Sequence, residues 1–396
     1  MRPATGVDAE ARDRGAPAAY LGAFVALGIG MSILGPSLRR LADATGSTEA
    51  ALGILFTAAS VGYLTGITIG GRLIVRRSGH AILACGLVTM AVGAAAVPSA
   101  RNVATLFVVE FALGLATGLV EVPCNSLILW TRGGGALLNA LHACWSIGAV
   151  FAPLLVGASV AATDGLRAAY LIAAALALLP FLALRGRNSP PNPHHEAGHG
   201  IPEKSRTLVA LGACFYVAYI GIEGGFAGWI YTFAEDRGLT GGSATLLGAA
   251  FLGTFAAGRL ASIPIAVRAD PRRVLLIDHV IVFAGLGLLL VSGRSATLIW
   301  TGTVVLGLGL ASLFGSMLTL SERHLPSTST VTSLYFGGLS VGGMFLPATI
   351  GGLIAAFGSI ALPVVCTGAA CVTLGSVVAF ERAGRHRTAR LALESV

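Results

Sequence analysis

Twelve long apolar stretches follow one another through the 396 residues, and a chain built this way has few folds open to it. Crossing a bilayer takes about 20 apolar residues in a helix. Runs of that kind lie near 18–38, 49–71, 81–98, 103–130, 136–161 and 166–184, and again near 207–234, 243–267, 274–293, 296–321, 328–356 and 359–380. They are continuous. A membrane barrel would instead show segments of about 10 residues with alternating polarity. Only 11% of residues are charged and 55% are hydrophobic, against roughly 25% charged in soluble domains. Lipid must therefore be the solvent for much of the surface. The 54 glycines lie inside the apolar runs, where small residues let helix backbones approach closely. An all-α membrane protein is expected.

The formal charge of +8 reports topology rather than a nucleic-acid partner. Lys and Arg crowd the first tail, the 72–80 and 268–273 loops, the 185–206 segment and the last tail, while the alternate loops carry isolated arginines. By the positive-inside bias both termini are cytoplasmic, in a cell (plasma or inner) membrane. The first 17 residues are polar and of mixed charge, and read as a disordered tail rather than a cleavable signal. Cys85, Cys124, Cys144, Cys214, Cys366 and Cys371 all lie in apolar stretches without a C-x-x-C pair, so free thiols are expected, with no metal centre. No nucleophile motif, phosphate loop or cofactor fingerprint occurs, and the segments outside the spans are too short for a catalytic domain; the chain is not read as an enzyme.

The segment 185–206 is polar and Pro-rich, and suits a linker between two sets of six spans. His194, His195 and His199 lie in it without an acidic or thiol partner to complete a metal site, and read as solvated. The expected organisation is a tail over 1–17, a six-helix bundle over 18–184, the linker 185–206, a second bundle over 207–381 and a tail over 382–396. The two sets repeat. Gly148 and Pro153 of the fifth span stand in the pattern G-x-x-x-x-P-x-x-x-G, which returns at Gly342 and Pro347 of the eleventh. Gly66-x-x-x-x-Gly71-Arg72-Leu73 returns as Gly253-x-x-x-x-Gly258-Arg259-Leu260. Parallel repeats imply pseudo-two-fold symmetry, a substrate site at the midplane between the halves, and access from alternate sides as one half rocks on the other. Gly71, Arg72, Arg76, Gly148, Pro153, Gly258, Arg259, Gly342 and Pro347 are therefore candidate gating positions.

Three carboxylates fall deep in spans: Glu110, Glu121 and Glu223. A charged, unpaired carboxylate there costs several kcal/mol, and no Lys or Arg is expected at matching depth. That arrangement favours the protonated form, the requirement for ion coupling. Glu110 and Glu121 are eleven residues apart, about 20° around a helix, and Asn125 shares their face. Gly114 and Gly118 lie on it too and are expected to leave space for a cavity. Counting from the Gly-rich turn at 131–135, Asn125 and His142 reach similar depth, roughly 10 Å from the helix ends. Glu121, Asn125 and His142 are expected to form one cluster, with His142 the only histidine deep in a span. Glu223 precedes Gly224-Gly225 and Trp229. Trp229 and Trp145 are expected to offer ring faces to a sugar whose hydroxyls bond to carboxylate and amide groups; an interfacial belt is the alternative for Trp229. Substrate binding is thus assigned to Glu121, Asn125, His142, Trp145, Glu223 and Trp229, and ion coupling to Glu121, Glu223, His142 and Glu110.

Over essentially its whole length the chain resembles the major facilitator superfamily, whose signature loop is similar to Gly71-Arg-Leu-Ile-Val-Arg76-Arg77-Ser-Gly79. Val75 stands where the usual Asp would be, which touches the gating attributed to that loop and not the fold. A closer resemblance is to the branch containing fucose permease and the sodium-dependent glucose transporters. It rests on Gly118-Leu-Val-Glu121-Val-Pro-Cys-Asn125, on Leu138-Asn139-Ala-Leu-His142 with Gly148 and Pro153, and on Glu223-Gly-Gly-Phe-Ala-Gly228-Trp229-Ile-Tyr231. In the second half it rests further on Gly258-Arg259-Leu260 before Pro264, Pro271-Arg272-Arg273 and Glu322-Arg323-His324-Leu325. Fucose carriers of this type have an acidic residue in the first span; 18–38 has none. The resemblance implies a monomeric secondary transporter of a small neutral polar solute, most simply a monosaccharide, with no cofactor beyond a transported H⁺ or Na⁺. The alternative is a drug or metabolite exporter of the same superfamily. Such exporters typically carry a glycine before the fifth-span proline, where this chain has Ala152.

Overall fold

In the computed structural model the described residues are 6–131, 134–190, 205–325 and 329–394. Most of the expected His-rich linker, 191–204, lies outside them, as does part of the Gly-rich turn at 132–133. The described residues are helical and contain no strand. Two compact units divide the chain at His195 and Glu196.

The first unit holds α1 (Gly6–Ser32), α2 (Leu34–Thr45), α3 (Ile54–Leu73), α4 (Gly79–Ala96), α5 (Val103–Leu129), α6 (Gly134–Thr163) and α7 (Arg167–Leu184). The second holds α8 (Arg206–Asp236), α9 (Gly241–Arg268), α10 (Pro271–Leu290), α11 (Ala296–Leu310), α12 (Leu313–Glu322), α13 (Ser329–Phe357) and α14 (Ala361–Glu394). Among the described residues eleven helical stretches are long and apolar enough to cross a membrane, α11 and α12 together forming one of them, and the bent pair formed by α1 and α2 makes up to twelve.

Two expectations change. The stretch read as a disordered tail is helical from Gly6 onward; its Ala, Glu and Arg residues are good helix formers. The first span is not straight: α1 and α2 meet at a 48° bend. Pro36, just past the bend, has no N–H to offer the Ser32 carbonyl, and its ring crowds the preceding turn.

Side-chain caps fix several helix starts. Asn102 accepts from the Thr105 N–H at 2.8 Å to open α5, and Asp270 accepts from the Arg272 N–H at 3.3 Å to open α10, with Pro271 in its first turn. Gly46, at φ 64°, ends α2 in the left-handed conformation.

Glycine sets the helix crossings. In the first unit α1 packs on α6 and α3 on α5. A Cβ at Gly148 would collide with the Val25 carbonyl, and one at Gly28 with the Trp145 carbonyl. The second unit builds the α8–α13 crossing the same way: a Cβ at Gly342 would strike the Val217 carbonyl. Gly148 and Gly342, paired in the sequence repeat, thus occupy the same contact in their respective units. Pro153 and Pro347 are both buried one and a half turns further along.

Candidate functional site

Glu121 on α5 is partly buried and lies within hydrogen-bonding reach of the Tyr63 hydroxyl on α3, with Cys124 also close. The face it shares with Glu110 is not open as expected. A Cβ at Gly114 would collide with the Ala59 carbonyl, and at Gly118 it would come within 2.5 Å of the Ile67 nitrogen. The glycines are filled by the α3 backbone, because small residues draw helices together as readily as they leave gaps. The space beside Glu121 is set by Tyr63 instead. Asn125, one turn on, is partly exposed.

Glu110 is 5% exposed, and one of its carboxylate oxygens is buried with no hydrogen-bond partner. The fully buried Tyr170 of α7 is within electrostatic range of it, and the Tyr170 hydroxyl is likewise without a hydrogen bond of normal geometry.

His142 and Trp145 turn toward α1. The His142 ring is exposed and meets Phe24 edge-on at 5.7 Å between centroids, and the Trp145 indole N–H lies 3.4 Å from Met31 Sδ. Tyr63, within reach of Glu121, stands on α3, while Phe24, against the His142 ring, stands on α1. His142 is not the only histidine within a span. His279 in α10 is 1% exposed, with Nδ1 2.7 Å from the Leu275 carbonyl and Nε2 3.0 Å from Thr373 Oγ1 of α14. His80 opens α4 and accepts from or donates to Tyr20 at 2.7 Å, while its Nδ1 faces the Arg187 carbonyl at 3.2 Å. A carbonyl only accepts, so Nδ1 carries the proton in both rings.

The second unit corrects the expectation that no cation shares the depth of the carboxylates. Arg259 sits within the α9 span, inside electrostatic range of Glu223 and of Tyr219 on α8. Its guanidinium lies 4.4 Å from the Phe255 ring centroid and 6.0 Å from that of Phe314, a cation over aromatic faces. The Tyr219 hydroxyl is buried between these charged groups without a close hydrogen bond of its own. Arg259 falls inside the 243–267 apolar run, although its counterpart in the repeat, Arg72, is exposed at the end of α3. Helix α9 continues to Arg268, nine residues past Arg259, and so carries this arginine inward.

Trp229 is also corrected. It is fully enclosed, and its indole N–H donates to the Pro347 carbonyl at 2.8 Å. It joins α8 to α13 and presents no ring face to a cavity or to a membrane surface. A fourth buried carboxylate, Asp278 of α10, was missed. It is 7% exposed and accepts a short hydrogen bond from Ser312, at the break between α11 and α12. An Asp inside the 274–293 apolar run was the available signal.

Of the remaining gating candidates, Gly71, Arg72 and Arg76 are exposed where α3 ends. Next to them a cavity of about 460 Å³ is lined by Ile74, Arg77, Trp130 and Asn188 among others. Gly258 packs against Leu308 of α11 and against Ala311 just past its end. Helix ends are tied by Arg323 to Asp270 at 2.7 Å and by Arg40 to Asp164 at 2.6 Å.

Comparison with known proteins bears on this arrangement. The profile described as Major Facilitator Superfamily matches residues 20–347. The chain is 26% identical to sodium-dependent glucose transporter 1 of Xenopus laevis, over 81% of this chain and 72% of that protein. It is 26% identical to sodium-dependent glucose transporter 1A of Mus musculus, over 89% of this chain and 92% of that one. Among solved structures, a bacterial homologue of the human lysosomal transporter Spinster superposes with a TM-score of 0.70 at 16% identity, covering 94% of this chain and 97% of that one. A variant of the nucleoside transporter NupG gives 0.73 at 12% identity, covering 92% and 98%. At those identities the structures speak for the fold alone. With the family profile spanning most of the chain and the same helical architecture recovered in space, the protein belongs to the Major Facilitator Superfamily of membrane transporters.

Proposed function

We propose that this protein is a secondary active transporter of a small neutral polar solute, most simply a monosaccharide, working by alternating access and coupled to H⁺ or Na⁺. The observation that carries the reading is the pair of polar clusters inside the spans: Glu121 with Tyr63 in the first unit, and Glu223 with Tyr219 and Arg259 in the second. Each offers carboxylate and hydroxyl groups to sugar hydroxyls. Phe255 and Phe314 add ring faces beside the second cluster, the role expected earlier of Trp229. The sequence similarity to proteins named sodium-dependent glucose transporter supports the same substrate class. His142 and Trp145 remain assigned to substrate, with Asn125 one turn from Glu121.

The coupling role moves with the geometry. Glu223 has a guanidinium within range and forms a pair of zero net charge, which needs no further cation. We therefore assign coupling to the first unit, with the ion held at Glu110 and linked to substrate through Glu121. The protein acts as a monomer in a cell membrane with both termini cytoplasmic.

Counterflow tests the substrate class without any gradient. Proteoliposomes preloaded with one unlabelled sugar from a panel should take up the same labelled sugar, and Tyr63→Phe should weaken its apparent affinity. If no sugar exchanges while lipophilic cations are expelled, the exporter reading replaces this one.

A further inference from the structure

Three helices of the first unit bring a second polar group together, apart from Glu121. Glu110 on α5 and Tyr170 on α7 are 5% and 0% exposed, and each has an oxygen that is buried without a hydrogen bond. Ser37 of α2, fully buried, lies beside the Tyr170 hydroxyl, and its own hydroxyl donates to the Ile33 carbonyl at 2.7 Å. Ser37 stands one turn past the 48° bend between α1 and α2. There Pro36 leaves the Ser32 carbonyl without the N–H that a regular helix would supply.

Two orphaned buried oxygens within range of each other are unusual, since such groups are nearly always satisfied. A lone carboxylate in a membrane-spanning bundle must also be neutralised. The charged and titratable groups of the neighbouring elements are occupied elsewhere. Tyr20 of α1 and His80 of α4 bond to each other at 2.7 Å, and Tyr63 of α3 is turned to Glu121. Arg40, past the bend, pairs with Asp164 at 2.6 Å, and Arg167, one turn before Tyr170, is exposed. What would satisfy the group is a species of charge +1 that accepts several oxygen donors at once. Hard cations are bound by oxygen ligands such as carboxylates and carbonyls, and broken helices with freed carbonyls are where transporters hold Na⁺ or H⁺.

We propose that Glu110, Tyr170 and Ser37, at the α1–α2 bend, form the binding site for the coupling cation, separate from the Glu121 cluster that contacts substrate. The inference deepens the transporter reading and rests on it. Sodium uses the whole oxygen set; a proton would use Glu110 with Tyr170 as its hydrogen-bond partner. The bend gives the site a mechanical output, because a cation drawing Ser37 and the Ser32 carbonyl toward Glu110 changes the angle between α1 and α2.

The test uses the full chain in proteoliposomes, with an inward sodium gradient, an inward proton gradient, or neither. Melting of the purified protein is measured alongside, in NaCl against choline chloride of equal strength. The wild type should accumulate sugar under one of the two gradients, which names the cation. Glu110→Gln should lose that accumulation, and any sodium-dependent rise in melting temperature with it. Tyr170→Phe should raise the cation concentration for half-maximal uptake about three- to tenfold, the effect of one lost hydroxyl contact. If Glu110→Gln does not fold, Tyr170→Phe and Ser37→Ala decide. Wild-type cation dependence in Glu110→Gln, or in both of the other variants when that one is lost, overturns the site while leaving the carrier reading intact. A wild type that responds to neither gradient overturns both.

Discussion

The side chains that matter most here are the charged ones that the fold takes inside, and partnership decides what each can do. Glu223 and Arg259 lie within range of each other, so removing one strands the other. Breaking such a pair costs about 3–5 kcal/mol, whereas replacing both partners is far milder. Glu223→Gln and Arg259→Gln should therefore each lower the melting temperature in detergent strongly. The double variant should recover much of the loss, and additive losses would show that the two do not interact. Trp229 invites a different test. Trp229→Phe keeps most of the ring but leaves the Pro347 carbonyl without the donor it has at 2.8 Å. The expected cost is about 1–3 kcal/mol of stability, with the apparent affinity for sugar unchanged in counterflow. A large affinity change with normal melting would return Trp229 to the binding surface.

At the level of helices, close crossings carry the architecture. Gly148→Leu would drive a side chain into the Val25 carbonyl of α1, and Gly342→Leu into the Val217 carbonyl of α8. Overpacking of this kind typically costs about 1–3 kcal/mol, and backbone offers less relief than a flexible side chain. Both variants should express poorly and melt early; wild-type melting in either would contradict the crossing. The pairing of these glycines was legible from the G-x-x-x-x-P-x-x-x-G repeat alone, because a spacing that recurs at equivalent places reports an equivalent contact. So were the spans, because apolar length is nearly the only requirement for crossing a bilayer. The partner of each face was not legible. Gly114 and Gly118 marked a close approach, and the sequence left open whether helix or cavity would use it; α3 does. The depth of Arg259 was hidden because its position in the 243–267 run does not say which neighbouring groups face it; Glu223 and Tyr219 do. The bend between α1 and α2 was written in Pro36, inside an apolar run that length alone made look like one straight helix. Tyr63, Tyr219 and Tyr170 carried no signal of their own, since a tyrosine in a span is ordinary until its neighbours are known.

For the whole molecule, the repeat has been kept as a scaffold while its two units have diverged in chemistry. Helix α5 runs unbroken from Val103 to Leu129 with Glu110 and Glu121 on it, whereas the corresponding path in the second unit is split into α11 and α12, with Asp278 bonded to Ser312 at the break. The first unit holds carboxylates with hydroxyl neighbours; the second holds one of that kind, Asp278 with Ser312, and another, Glu223, within range of an arginine. On this view cation coupling belongs to the first unit, and the second contributes polar and aromatic contacts to substrate. Gradient-driven accumulation of a labelled monosaccharide in proteoliposomes tests this most directly, comparing the wild type with Glu121→Gln and with the Glu223→Gln/Arg259→Gln pair. Concentration of sugar above the external level is expected in the wild type under a sodium or a proton gradient. It should be lost in Glu121→Gln, while in the paired variant the same gradient still drives whatever uptake remains. Accumulation that is unchanged in Glu121→Gln, or gradient dependence that disappears only in the paired variant, would contradict it.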